Sequence, residues 1–134
     1  MMKIAVVDDE KAIREEMESL IREKRPDCHI ESFESGDRLL LAEGQYDIVF
    51  LDIQMSGRNG IDTARLLRQR SEHMVIVFVS GIKDYVFQAF DVAAFHYLLK
   101  PLEKEKFEEV LDRALREAEK HRRDEAGFLL VKTR

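Results

Sequence analysis

Four short apolar runs constrain what this chain can become: Ile4-Ala5-Val6-Val7, Ile48-Val49-Phe50-Leu51, Val75-Ile76-Val77-Phe78-Val79 and Phe95-His96-Tyr97-Leu98-Leu99. They are rich in β-branched or aromatic residues and too short for helices, and the first three show no alternation. A strand without a polar face must be covered on both sides, which is the condition of a parallel sheet between helices. A weaker run, His29-Ile30-Glu31-Ser32-Phe33, alternates in part and suits a sheet edge.

Helical patterns fill the gaps. Ile13, Met17, Leu20 and Ile21 share one face of residues 10–24, and Pro26 ends that helix. Leu39 to Leu41 follow Ser35, a good N-cap residue. Ile61, Ala64 and Leu67 mark a third helix, and Tyr85, Val86, Ala89 and Phe90 a fourth. Phe107, Val110, Leu111, Ala114, Leu115 and Ala118 complete an i, i+3, i+4, i+7 stripe in a fifth. Five β-α repeats predict an α/β fold, a parallel sheet with right-handed crossovers.

At 134 residues the chain is the size of one domain. No apolar run approaches the ~20 residues that span a bilayer, and the N-terminus lacks a signal-peptide pattern. A cytoplasmic protein with no membrane association is expected. The single cysteine, Cys28, has no partner for an internal disulfide and is expected half-buried in or beside a strand. Net charge is −5, with +2 over residues 116–134 and −7 over residues 1–115. An acidic body repels phosphate backbones, so contact with DNA has to come from elsewhere.

In open parallel sheets ligands bind at the carboxyl ends of the strands. There the four main runs end in Asp8-Asp9, Asp52, Ser80 and Lys100. Singly, each has an ordinary explanation as a cap, a turn residue or a solvated cation. Four on one edge point to a site. Three carboxylates in one pocket repel each other, and a hard divalent cation such as Mg2+ relieves that repulsion. One carboxylate is then free to attack phosphorus, while Ser80 and Lys100 supply a donor and a positive charge for phosphoryl oxygens.

The segments Val6-Val7-Asp8-Asp9-Glu10, Phe50-Leu51-Asp52-Ile53-Gln54-Met55, Val79-Ser80-Gly81 and Tyr97-Leu98-Leu99-Lys100-Pro101 together resemble the receiver domain of two-component response regulators. The resemblance implies a flavodoxin-like five-stranded parallel sheet in the order 2-1-3-4-5, with helices on both faces. It implies Asp52 as phosphoacceptor from a sensor histidine kinase. Mg2+ would be held by Asp9, Asp52 and the backbone carbonyl of Gln54, with Asp8 assisting. Ser80 and Lys100 would hold the phosphoryl group, Tyr97 would switch rotamer, and Lys100-Pro101 would be cis. Phosphorylation is expected to favour a homodimer. The segment from Tyr85 to Pro101 further resembles LytTR-type regulators, whose output is a β-rich DNA-binding domain.

The sequence departs from the family pattern at Ser56, Gly81 and His96. None of these removes a reacting group. The alternatives are a strand-end-Asp phosphatase of the haloacid dehalogenase type, a nucleotide or flavin module, and a phosphorylation-independent receiver. The phosphatase needs a second acid two residues after its nucleophile, and Gln54 cannot titrate. The nucleotide motifs are missing, and the intact acidic triad argues against the third alternative. Tyr97 has a plain alternative as a sheet residue packed under the last helix. Finally, residues 1–120 are expected to form the receiver and 121–134 a linker plus the start of a truncated LytTR-type DNA-binding domain. Gly127 is expected to break the last helix before a strand-like run from Phe128 to Arg134.

Overall fold

The computed structural model describes the backbone of residues 1–132 and the side chains of residues 1–125. Strands and helices alternate along the whole chain. The strands are β1 (Lys3–Val7), β2 (His29–Phe33), β3 (Ile48–Leu51), β4 (Val75–Ser80) and β5 (His96–Leu99). The helices are α1 (Lys11–Lys24), α2 (Gly36–Leu41), α3 (Gly60–Arg70), α4 (Val86–Asp91) and α5 (Lys104–Lys132). All strand pairs are parallel, in the order β2-β1-β3-β4-β5. The partly polar run does form an edge, as β2, and Cys28 sits half-buried just before it.

Unbroken apolar strands are explained by two separate cores. Ile4, Val6, Phe50 and Val77 pack toward α1 and α5, against Met17, Ile21, Phe107 and Leu111. Ala5, Val7, Leu51 and Phe78 face the other way, against Leu39, Ile61, Ala64 and Leu67. Successive side chains of one strand therefore enter different cores, and neither face can be polar.

The fourth helix forms where its markers place it, as α4 with Tyr85 at its cap, but most of those markers do not enter a core. In α4 only Ala89 of the four apolar markers is buried; Val86 and Phe90 are 46% and 84% exposed, and Phe87 beside them is 85% exposed. The apolar pattern there marks an outward face, since a six-residue helix on a sheet edge offers little inward surface. One expectation needs correction: Gly127 does not end α5, which continues through the strand-like run to Lys132. A lone strand leaves its amides without partners, whereas a helix satisfies them internally, and one glycine costs a helix only about 1 kcal/mol. Thr133 and Arg134 lie outside the described residues.

Candidate functional site

The carboxyl edge of the sheet brings together the polar residues that ended the apolar runs. Asp8 and Asp52 leave adjacent strands β1 and β3, and both are buried, at 0% and 2% exposure. Lys100 follows β5 and reaches across Ser80 of β4, and its peptide bond to Pro101 is cis. Its Nζ lies 2.9 Å from Asp8 Oδ2 and 3.3 Å from Asp52 Oδ2. Glu10 stands 3.7 Å from the same ammonium. One cation thus sits between two buried acids.

Local structure holds these groups in place. Asp8 Oδ1 accepts from the Glu10 amide at 2.9 Å, and the Asp8 carbonyl accepts from Arg14 of α1 at 2.7 Å. Asp52 is set by α3. Gly60 opens that helix so close to β3 that a Cβ there would lie 2.1 Å from the Asp52 carbonyl oxygen. Asn59 caps the helix, its Oδ1 accepting from the amides of Ile61 and Asp62 at 2.7 and 3.3 Å.

Burial, and next the charge of Asp8, push the Asp52 carboxyl up to about 6, against the pull of Lys100. Burial opposes the Lys100 charge too, but contacts with Asp8 and Asp52 outweigh it, and the ammonium pKa stands above its ordinary value. Among the described residues Asp52 Oδ1 has no hydrogen-bond partner. A buried acceptor left bare is costly, so this oxygen suits an incoming cation or electrophile. Asp9 is exposed beside it on the β1–α1 loop, and its Oδ2 accepts from the Ser56 amide at 3.3 Å. Carboxylate oxygens of Asp8, Asp9 and Glu10 lie within 4.8 Å of one another. These hard oxygen donors fit a divalent ion such as Mg2+.

Ser80 is fully buried, and its Oγ accepts from the Ile82 amide at 3.3 Å. Tyr97 donates its hydroxyl to the carbonyl of that same Ile82 at 2.6 Å. Its ring lies 6.2 Å from Phe78, in the core on the α3 and α4 side. The alternative that Tyr97 packs under α5 therefore does not hold. Gln54 is exposed in the loop after Asp52. Sequence reasoning passed over Glu10, Arg14, Asn59 and the need for glycine at position 60. Only the Asn59-Gly60 pair before an apolar stripe carried a signal, as a helix start.

A doubly wound parallel sheet with acids and a lysine gathered at its carboxyl edge is the build of a receiver. Residues 4–112 match the family described as response regulator receiver domain. The chain belongs to that family, as the receiver domain of a response regulator of a two-component system.

Among its relatives is the sensory transduction protein LytT of Oceanobacillus iheyensis, 36% identical over 114 residues, 82% of this chain and 46% of LytT. The sensory transduction protein LytR of Streptococcus mutans is 33% identical over 114 residues, 82% of this chain and 47% of LytR. The chain thus spans about half the length of these relatives. The response regulatory domain of mrkE from Klebsiella pneumoniae superposes with a TM-score of 0.81 at 30% identity, over 89% of this chain and 99% of that one. The response regulator TrrA of Thermotoga maritima, solved in complex with Mg2+ and BeF, gives 0.76 at 29% identity, over 85% and 99%. Among the described residues no helix is long and apolar enough to cross a membrane.

Proposed function

We propose that Asp52 accepts a phosphoryl group from the histidine of a sensor kinase and that the domain changes its α4–β5–α5 surface in response. The observation that carries this reading is the bare Asp52 Oδ1, a buried carboxylate oxygen with no hydrogen-bond partner among the described residues and with the exposed Asp9 near it. Asp9, Asp52 and the carbonyl of Gln54 would hold Mg2+, with Asp8 assisting. When bound, the ion supplies positive charge for the phosphoryl oxygens and offsets repulsion among the acids. That TrrA was crystallised with Mg2+ and BeF supports the assignment by likeness.

The chain's own residues account for the rest. Asp52 Oδ1 attacks phosphorus; a P–O bond forms, the P–N bond to the kinase imidazole breaks, and the imidazole keeps the electron pair. Lys100, already 3.3 Å from Asp52, follows the charge onto the phosphoryl oxygens. Ser80 turns its hydroxyl toward them and gives up the Ile82 amide. Ile82 is also the acceptor of the Tyr97 hydroxyl, so a move of Ser80 loosens Tyr97 and reaches α4. The protein then acts as a switch that turns over only its own modification. The output is a DNA-binding domain joined to the receiver through α5, and dimerisation of the receiver controls it. A cytoplasmic location follows from the kinase partnership.

Incubation with a small phosphodonor and Mg2+, read by intact mass, tests the core of this. Wild type should gain one phosphoryl group, and Asp52→Asn none. Omitting Mg2+ should abolish the gain. Equal uptake by both proteins would overturn the assignment. Repeated hydrolysis of added phosphomonoesters would favour the phosphatase alternative.

A further inference from the structure

Arg68, in the last turn of α3, spends its whole guanidinium on backbone carbonyls. Nε donates to Val92 O at 2.8 Å and Nη2 to Ala93 O at 2.9 Å. Nη1 donates to Met74 O at 2.5 Å, Glu72 O at 3.2 Å and Ser71 O at 3.4 Å. No carboxylate among the described residues pairs with it, and burial lowers its pKa. The countercharge comes instead from two helix ends, since Ser71 caps α3 and Val92 caps α4.

The α4 end explains why a cation is needed there. Ala94 N–H donates to Ala89 O and Ala93 N–H to Phe90 O, which turns the chain out of the helix. Ala93 takes φ +54° at this turn, a left-handed conformation that a residue with a Cβ resists. The carbonyls of Val92 and Ala93 are the acceptors that Arg68 takes. Two residues on, the Phe95 amide donates to Ile76 O and begins β5.

The other end of α4 is held differently. Its N-cap, Tyr85, makes no side-chain cap hydrogen bond among the described residues, and the loop before it hangs on Ile82, whose amide donates to Ser80 Oγ and whose carbonyl accepts from the Tyr97 hydroxyl. One end is tied to a rigid frame of α3 and β4; the other is tied to the two residues proposed to move.

We infer that Arg68 is a positioning residue that fixes the C-terminal end of α4 as a pivot, so that switching swings residues 82–87 and leaves Val92 to Phe95 in place. The inference rests on the function proposed above and assigns a fixed point to it. Arg68 is in the last turn of α3, at the opposite end of the helix from Gly60 and Asp52, and takes no part in phosphoryl transfer.

Amide hydrogen exchange on the full chain, with and without beryllofluoride and Mg2+, reads the pivot. In wild type the change should fall on residues 82–87, with Val92 to Phe95 altered less than twofold. In Arg68→Met without ligand, exchange across Val92 to Phe95 should rise by about tenfold or more, the loss of several charge-assisted bonds. With beryllofluoride the change in that variant should spread into 92–95, while phosphoryl uptake by intact mass stays within twofold of wild type. Arg68→Lys, which keeps the charge and loses the fork, should fall between. Equal change at both ends of α4 in wild type, or unaltered exchange at 92–95 in Arg68→Met, would overturn the pivot. If beryllofluoride does not bind wild type, the phosphoacceptor reading fails, and the unliganded comparison alone decides the role of Arg68.

Discussion

At the scale of single residues, Asp52 is held against its own chemistry. Its carboxyl, pushed up to about 6 first by burial and then by Asp8, binds a proton more tightly than in an unfolded chain, where about 3.9 is usual. A raised folded-state pKa gives stability below the unfolded value, and that stability is lost as pH rises through about 6. Without Mg2+ at pH 7.5, Asp52→Asn should therefore be more stable than wild type, by about 1–3 kcal/mol. Lys100 keeps Asp8 at 2.9 Å in that variant, so no cation is stranded. Thermal melts in a chelator across pH 5 to 8 check this, and the advantage should shrink as pH falls below 6. A constant difference across that range would contradict it. The clustered acids were legible in the sequence because each stood at the end of an apolar run. Their supports were not: Arg14 bonds a carbonyl, and Gly60 matters for an approach that only the packed helix creates.

At the scale of elements, the strands were easier to read than the helices that cover them. A run such as Val75 to Val79 admits no other treatment, because both its faces are buried. The α4 pattern located a helix without locating its buried face, because exposed aromatics repeat at helical spacing as core residues do. The α5 end misled because an apolar run favours a strand only where partner strands exist. Arg68 follows directly on the last apolar residue of the α3 stripe, and it ties two helix ends together. The turn it holds offers a direct test. Ala93 at φ +54° should welcome glycine, and Ala93→Gly should add about 1 kcal/mol of stability. For a chain of this size that corresponds to a rise of roughly 3–4 °C in Tm, measurable by calorimetry. A fall in Tm would show that Ala93 makes packing contacts worth more than its strain.

At the scale of the whole molecule, Val86, Phe87 and Phe90 place three apolar side chains in solvent on the element proposed to move. A second copy of the chain is their expected cover in the phosphorylated state. Sedimentation with beryllofluoride and Mg2+ should shift wild type toward dimer. Phe87→Ser with Phe90→Ser should stay monomeric under the same conditions while still taking up phosphoryl. Dimerisation undiminished in that variant would place the interface elsewhere. The two cores on opposite faces of the sheet carry a different consequence, for how free energy is distributed. Phe107→Leu and Phe50→Leu disturb one ring contact, 5.0 Å between centroids, and should each cost about 1 kcal/mol and couple. Ile61→Val lies across the sheet and should cost about the same. Combined with Phe107→Leu, its effect should simply add, to within about 0.5 kcal/mol. A domain built this way can accumulate substitutions in the core under α1 and α5 without repacking the core under α3 and α4. The sheet insulates one half of the molecule from the history of the other.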